Sequence, residues 1–493
     1  MTSYSLLSKF FEDLEGFQNL TNDNTNMSSC TTLLKDNIKV SNFTNVAKVT
    51  PHFENQLHLQ KIIHFFEKYL INFRKDLNPL ISLIFKNKGL KFPSPYTGEY
   101  VLSNVICGDN IFIFHTDEGG FIVSFSSPWK SGFNSLQVTL LKEKSCIHIS
   151  TSQVIEEING WYFADLGRVL LRMRQGRLSF LKDGFKDKKV IITNYNYPHI
   201  GHNLWNGISA WGAVDRTIGN PDQFVSQSVC YDTYIYGALN CESKIIEEFD
   251  LKAELPFFIK NNFISNDVAQ SIVSRSINSY DFAIHKFSLP KNLFYTRYLV
   301  INIRIGNRSV LNYKEFYSSL VTRLLNSFPR YYLIIDGMNT SKVVSSSTHK
   351  GIDLDDEITL GKELCCLEPT RVFSVIGSTI SENISVIQNA LAVVAPWGAG
   401  LAKHCWISNL PAVLYSSSSI LRSRDDLRIY DTVEFREDAK EAMFLDPDLV
   451  EDFTEGALSA NGREGFIIRK DGVEELVKLL EIQISKHNKC TEL

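Results

Sequence analysis

Val393-Val-Ala-Pro-Trp-Gly-Ala-Gly-Leu401 is the stretch that decides the fold. Its first half is apolar and β-branched, as a buried strand is, and it empties into a Gly-Ala-Gly turn that opens a helix running from about Leu401 to Ser408. Glycines let the backbone approach a ligand closely, and free amides at a helix start favour negative charge. Phosphate is therefore the natural ligand of Gly398, Ala399 and Gly400. A plain strand-to-helix turn with no ligand has the same composition. Lys403 and His404 fall in the first helical turn, placed to add charge-assisted contacts to a phosphate; for Lys403, exposure to solvent is the other reading.

Outward from this loop the chain alternates. Tyr298–Ile303, Tyr331–Ile335, Val372–Ile376, Leu391–Ala395 and Ala412–Tyr415 read as strands, and Tyr313–Phe328 and Ser381–Ala390 as helices between them. Phe466–Ile468 and a helix from Val473 to Ile484 close the series. Strands alternating with helices give a parallel sheet covered by helices, a Rossmann-like α/β domain, here over residues 291–493. Ahead of it, residues 51–290 read as an N-terminal α/β domain with a helical start, a β-rich part of short antiparallel strands between Tyr100 and Ile155, and a strand-loop-helix unit beginning at Lys188. Residues 1–50, rich in Asn, Ser and Thr and weakly periodic beyond a short amphipathic start at Leu6 to Phe17, read as a loosely ordered leader.

With 493 residues the chain exceeds what one core serves, which agrees with two domains. The 44% hydrophobic composition with 33 Phe and 19 Tyr supplies those cores. A net charge of −4 provides no electrostatic footprint for nucleic acid. The nine cysteines fall in no zinc-binding spacing. No apolar run is long enough to span a bilayer, and the N-terminus lacks the layout of a secretory signal, so a cytoplasmic location is expected, with peripheral membrane attachment left open.

Two further clusters carry chemistry. Arg304 and Arg308 follow the first strand of the C-terminal domain, at the edge where open α/β sheets bind ligands. Two guanidiniums there suit a diphosphate or a carboxylate, or pair with Glu315. Asp336 ends the next strand, suited either to a ribose hydroxyl or to capping a turn. The second cluster, Tyr197-Pro-His199-Ile-Gly201-His202-Asn203-Leu-Trp205-Asn206, gathers two imidazoles, two amides and an indole at a loop and helix start. This marks an acceptor or catalytic side, with His202 the candidate general base. His199 and His202 are also spaced for metal, but no third ligand is evident, and no metal or cofactor is expected. Asp353-Leu-Asp355-Asp356 contains a D-x-D pattern and reads as a solvated charge cluster in a loop.

The Ala395-Pro396-Trp397-Gly398-Ala399-Gly400-Leu401 segment resembles the G-P-H-G-A-G-L segment of glycosyltransferase family 61 type proteins, with Trp397 in the place of the histidine. Ser381-Glu382-Asn383-Ile384 and Arg304 to Arg308 are further points of similarity, and Gly201-His202 with Asn206 is similar to the family's G-H-x-x-x-(D/N) segment. The resemblance implies a GT-B fold of two Rossmann-like domains. It also implies a nucleotide-sugar donor in the C-terminal half, contacted by residues that include Glu382, with Trp397 stacking or purely structural. A glycan or protein acceptor, inversion at the anomeric carbon, and a place in polysaccharide biosynthesis follow from the same resemblance. A GT-B-like epimerase or phosphorylase, and a binding module without turnover, are the alternatives.

Overall fold

The computed structural model describes residues 3–15, 17, 26–44, 56–69, most of 87–150, four strands and scattered positions between 151 and 262, and 263–488 apart from 307–308, 341–353, 425 and 454–464. The chain divides into two compact units. One comprises Met1–Thr193, Arg216–Val225 and Ile246–Ile259, and the other Asn194–Asp215, Ser226–Ile245 and Lys260–Leu493.

In the first unit, the N-terminal stretch differs from the loose leader its composition suggests. Helices α1 (Ser3–Glu12) and α2 (Met27–Asn37) present Leu7, Phe10, Phe11, Cys30, Leu33 and Leu34 to one core. Asn26 caps α2 through a reciprocal capping box with Ser29. The apolar residues recur three and four apart, which sets one face of each helix against a sheet despite the polar composition. Strand β1 (Lys39–Thr44) follows, and α3 (Gln56–Tyr69) is the helix expected from His58 onward. After a hairpin of β2 (Lys91–Pro93) and β3 (Tyr100–Leu102) come β4 (Val105–Cys107), β5 (Ile111–His115), β6 (Gly120–Ser126), β7 (Ser135–Leu140) and β8 (Ser145–Ser150). The last five form the expected antiparallel meander, and β1 adds to it in parallel beside β8. Ile111, Ile113 and Ile122 of this sheet share the core with α1 and α2.

Further along, β9 (Lys189–Asn194), β10 (Phe224–Ser226), β11 (Lys244–Ile245) and β12 (Glu254–Ile259) form a four-stranded sheet of order β11-β10-β9-β12.

The second unit holds the sheet that positions the site. Its long run starts at Lys260, some thirty residues ahead of the boundary expected at 291. The reason is that α4 (Asn266–Ser276) and α5 (Tyr280–Lys286) are tied to later segments: Ile264 bridges Arg436, and Lys286 pairs with Glu382 at 2.8 Å. Strands β13 (Tyr298–Asn302), β14 (Tyr332–Asp336), β15 (Val372–Ser374), β16 (Val393–Pro396), β17 (Ala412–Tyr415) and β18 (Met443–Phe444) are all parallel, in the order β15-β14-β13-β16-β17-β18. Counted within the sheet this is 3-2-1-4-5-6, the doubly wound order of dinucleotide-binding folds.

Both faces of the sheet are covered, which is why β13, β16 and β17 are buried throughout and apolar but for Asn302 at the end of β13. One face packs Leu299, Ile301 and Val413 against α6 (Tyr313–Ser327), α7 (Leu354–Cys365) and the C-terminal helix Lys470–Asn488, through Phe316, Leu320, Leu360, Leu364, Leu476 and Leu480. The other meets α8 (Ile380–Ile387), where the Tyr298 hydroxyl donates to the Val386 carbonyl at 2.6 Å. Helix α7 replaces the loop expected around Asp355 and Asp356. Those residues occupy its first turn, where carboxylates complement the helix dipole. The segment after Gly400 is a short π-helix, Ala402–Ile407.

Candidate functional site

In a 3-2-1-4-5-6 sheet the first and fourth strands diverge to opposite sides, and a crevice opens at their carboxyl ends. Here those strands are β13 and β16. Arg304 lies two residues past β13, and Gly398-Ala399-Gly400 begins two residues past β16.

The two segments meet. A Cβ built on Gly398 would fall against the Arg304 Nη1, so glycine is what permits the guanidinium to lie on the loop. The Arg304 amide donates to the Tyr317 hydroxyl at 2.9 Å, and that hydroxyl lies 3.0 Å from the Tyr415 hydroxyl, which fixes the backbone beneath the arginine. The guanidinium itself meets no hydrogen-bond acceptor and no carboxylate at ion-pair distance among the described residues. Burial lowers its pKa, opposed by the field of Glu357. The amides of Gly398, Ala399 and Gly400 likewise meet no acceptor among the described residues, whereas those of Leu401 and Ala402 close turns onto Gly398 and Ala399. Among the described residues, a guanidinium without an acidic partner thus lies on a loop whose three amides meet no acceptor, a cradle for an oxyanion.

Glu357, on α7, frames this cradle from below. Its carboxyl, almost wholly buried, accepts the Met338 amide at 2.6 Å and the Ile305 amide at 3.2 Å, joining the loops after β14 and β13. Burial raises its pKa and the two amides oppose that. Gly337 leaves room for it: a Cβ there would lie 2.6 Å from its Oε2.

The remaining expected contacts have other partners. Asp336 is fully buried and both its oxygens are taken, by Lys403 at 2.8 and 2.9 Å, Asn302 at 2.9 Å and Asn383 at 2.7 Å. Its oxygens are thus committed within the chain, as a buried carboxylate needs donors on every side. Burial would raise its pKa, but Lys403 and His404 outweigh that and hold it well below the usual carboxylate range. Lys403 is also spent, since it donates further to the Gly337 carbonyl at 3.1 Å and to Asn339 at 2.7 Å. His404 Nε2 lies 2.9 Å from Asp336, and burial lowers the imidazole's pKa. Both side chains are buried against Asp336, so Lys403 is not the exposed residue of the alternative reading.

Glu382 closes the capping box of α8, accepting the Thr379 amide at 2.9 Å, and pairs with Lys286. Trp397 donates its indole N–H to the Leu427 carbonyl at 3.0 Å, and the Arg424 guanidinium stands 4.3 Å over its ring. Its face is therefore stacked on an arginine of the same unit. Arg308, His199, His202, Asn203, Trp205 and Asn206 lie outside the described residues.

Glu357 and Tyr317 were not singled out from sequence. A signal for Glu357 exists: Glu357, Leu360, Gly361 and Leu364 repeat at helical spacing and are the buried positions of α7.

No family model matches the chain, and no curated protein matches it. Among solved structures it is similar to a family 9 glycosyl transferase from Veillonella parvula, at 10% identity over 61% of this chain and 98% of that one, with a TM-score of 0.30. It is also similar to the Methanocaldococcus jannaschii UDP-GlcNAc 2-epimerase in complex with UDP-GlcNAc and UDP, at 10% identity over 65% and 74%, TM-score 0.25. A third is the S. aureus TarM in complex with Fondaparinux, alpha-GlcNAc-glycerol and UDP, at 11% identity over 94% and 90%, TM-score 0.22. Likenesses this distant carry no argument about activity, which rests on the residues.

Proposed function

We propose that this chain is a GT-B glycosyltransferase of family 61 type, moving a sugar from a nucleotide-sugar donor to a glycan or protein acceptor, with inversion and without a metal. The observation that carries the reading is the Arg304 guanidinium, without an acidic partner among the described residues, lying on the Gly398–Gly400 loop at the switch point of the parallel sheet. Departure of a nucleotide diphosphate concentrates negative charge on phosphate oxygens, and fixed donors aimed at that charge lower the barrier. Arg304 and the three amides supply those donors, and Arg308 is placed by sequence to add to them. A guanidinium can fill the charge-neutralising role of a divalent ion.

The four-stranded sheet, whose 3-2-1-4 order repeats the first four places of the parallel sheet, supports a second Rossmann-like domain as GT-B requires. His202 is the proposed base for the acceptor hydroxyl, with Asn206 beside it in the catalytic cluster and His199, Asn203 and Trp205 on the acceptor side.

The test is titration calorimetry against UDP-, GDP-, CMP- and dTDP-sugars, followed by product analysis with and without acceptor. Binding of one nucleotide class, weakened about 10- to 100-fold in Arg304→Ala, is expected for loss of charge-assisted hydrogen bonds. Free nucleotide released only with acceptor present, and abolished in His202→Ala with donor affinity intact, completes the reading. A new sugar isomer without acceptor would instead make the chain an epimerase. Binding of no nucleotide sugar by the wild-type chain would sink the reading.

A further inference from the structure

The segment Tyr280–Arg297 is unusual in what it shows to solvent. Phe282 is 61% exposed, Tyr295 88% and Phe294 38%. Phe294 packs edge-on to Tyr280 at 5.7 Å and to Tyr295 at 5.4 Å, so these rings form one cluster at the Leu293–Tyr295 turn. Lys286 stands 5.8 Å over the Phe282 ring and bridges it to Glu382.

Solvent-facing aromatic rings are costly for a free surface and mark contact sites. Charge and shape say which kind. Over Tyr280–Arg297 the cations are Lys286, Lys291 and Arg297, and the sole acid is Asp281, in a chain whose net charge is −4. Lys291 and Arg297 are exposed and meet no carboxylate at ion-pair distance among the described residues. Tyr295, at 88% exposed, stands clear of its surroundings. Exposed aromatics in a segment that also carries exposed cations are suited to a deformable anionic medium: rings enter the headgroup layer while ammonium and guanidinium groups meet lipid phosphates.

We propose that Tyr280–Arg297 is a membrane-docking surface that binds the second unit to an anionic lipid bilayer through Phe282, Phe294, Tyr295, Lys291 and Arg297. The inference is independent of the sugar-transfer reading, since it uses none of the residues of the cradle. No helix among the described residues is long and apolar enough to cross a membrane.

The experiment is cosedimentation of the full chain with vesicles of phosphatidylcholine, with and without phosphatidylserine, at low and high salt. Salt-sensitive binding to the phosphatidylserine vesicles is expected. Lys291→Ala and Arg297→Ala should each lower the partition coefficient about fivefold, the effect of one cation at an anionic surface. Tyr295→Ser should lower it further while leaving the melting temperature unchanged, because the ring is exposed. Val433→Ser, an exposed apolar residue elsewhere (68%), should bind as the wild type does. Absence of vesicle binding, equal binding to neutral vesicles, or binding that Tyr295→Ser leaves unaltered would overturn the proposal. A dimer seen by light scattering and dissolved by Tyr295→Ser, without vesicle binding, would assign the patch to a second copy of the chain instead.

Discussion

At the residue scale the cradle sets two neighbouring glycines apart. A methyl group at Gly398 would strike the Arg304 guanidinium, whereas one at Gly400 would find Asn302 Oδ1 at 3.5 Å, an ordinary contact. Gly398→Ala should therefore weaken nucleotide binding by about tenfold or more, since the arginine must leave its place on the loop. Gly400→Ala should bind within about a factor of three. Calorimetry on the two variants checks this, and equal affinities would mean that Arg304 does not touch the ligand. Asp336 makes the complementary case for stability. Asp336→Asn strands the Lys403 ammonium in the interior, at a cost of about 3–5 kcal/mol. Asp336→Asn combined with Lys403→Met should recover much of that loss in urea unfolding, because no buried charge is then left unmatched.

The elements divide into those with local signatures and those without. Alternation of apolar strands and helices from Tyr298 onward is local, and strands such as Ala412–Tyr415 and Phe466–Ile468 were legible to the residue. The Gly398–Gly400 turn was legible for the same reason. The partners of Lys403 were not, because Asp336 is 67 residues away in the chain and nothing local in the sequence brings the two together. Helix α1 showed in part as the amphipathic start at Leu6 to Phe17, where Leu7, Phe10, Phe11 and Leu14 keep helical spacing, whereas α2 was hidden by its Asn, Ser and Thr content.

Helix α7 matters to the site because Glu357 joins two loops at the sheet edge. Glu357→Ala would leave the amides of Ile305 and Met338 unpaired and loosen the backbone next to Arg304. A loss of about 1–3 kcal/mol in stability is expected from urea unfolding, together with weaker nucleotide binding by calorimetry. In the other unit, β8 buries His148, whose Nδ1 lies 3.3 Å from the Gln137 amide nitrogen of β7. Burial lowers its pKa from 6.5 to about 4. The unfolded chain therefore binds the extra proton between these values. Stability contributed by the neutral ring is present above pH 6.5, falls as the pH drops toward 4, and levels off below it. The loss is on the order of 3 kcal/mol. His404, also lowered, adds a loss of the same sign in the second unit. His148→Leu should flatten the first unit's part of the acid limb in urea titrations, and an unchanged limb would mean that His148 is reached by solvent.

At the scale of the whole molecule, two compact units with separate cores should not melt as one. Calorimetry of the full chain should resolve two transitions, since cooperativity follows the core each segment packs into. The cradle's described donors, Arg304 and the Gly398–Gly400 amides, all belong to the second unit. A nucleotide held by them alone stabilises only the state in which that unit is folded, by about 2.7 kcal/mol at a hundredfold excess over its dissociation constant. The transition that moves should be the one also lowered by Asp336→Asn, which identifies it as the parallel-sheet unit, while the transition sensitive to His148→Leu stays in place. A nucleotide sugar that raised both transitions together would show that residues of the first unit share the ligand. The segment around His202, proposed as the acceptor side, is grouped with the second unit too, so a shift of the first would point to contacts from β9 or from the segments around it.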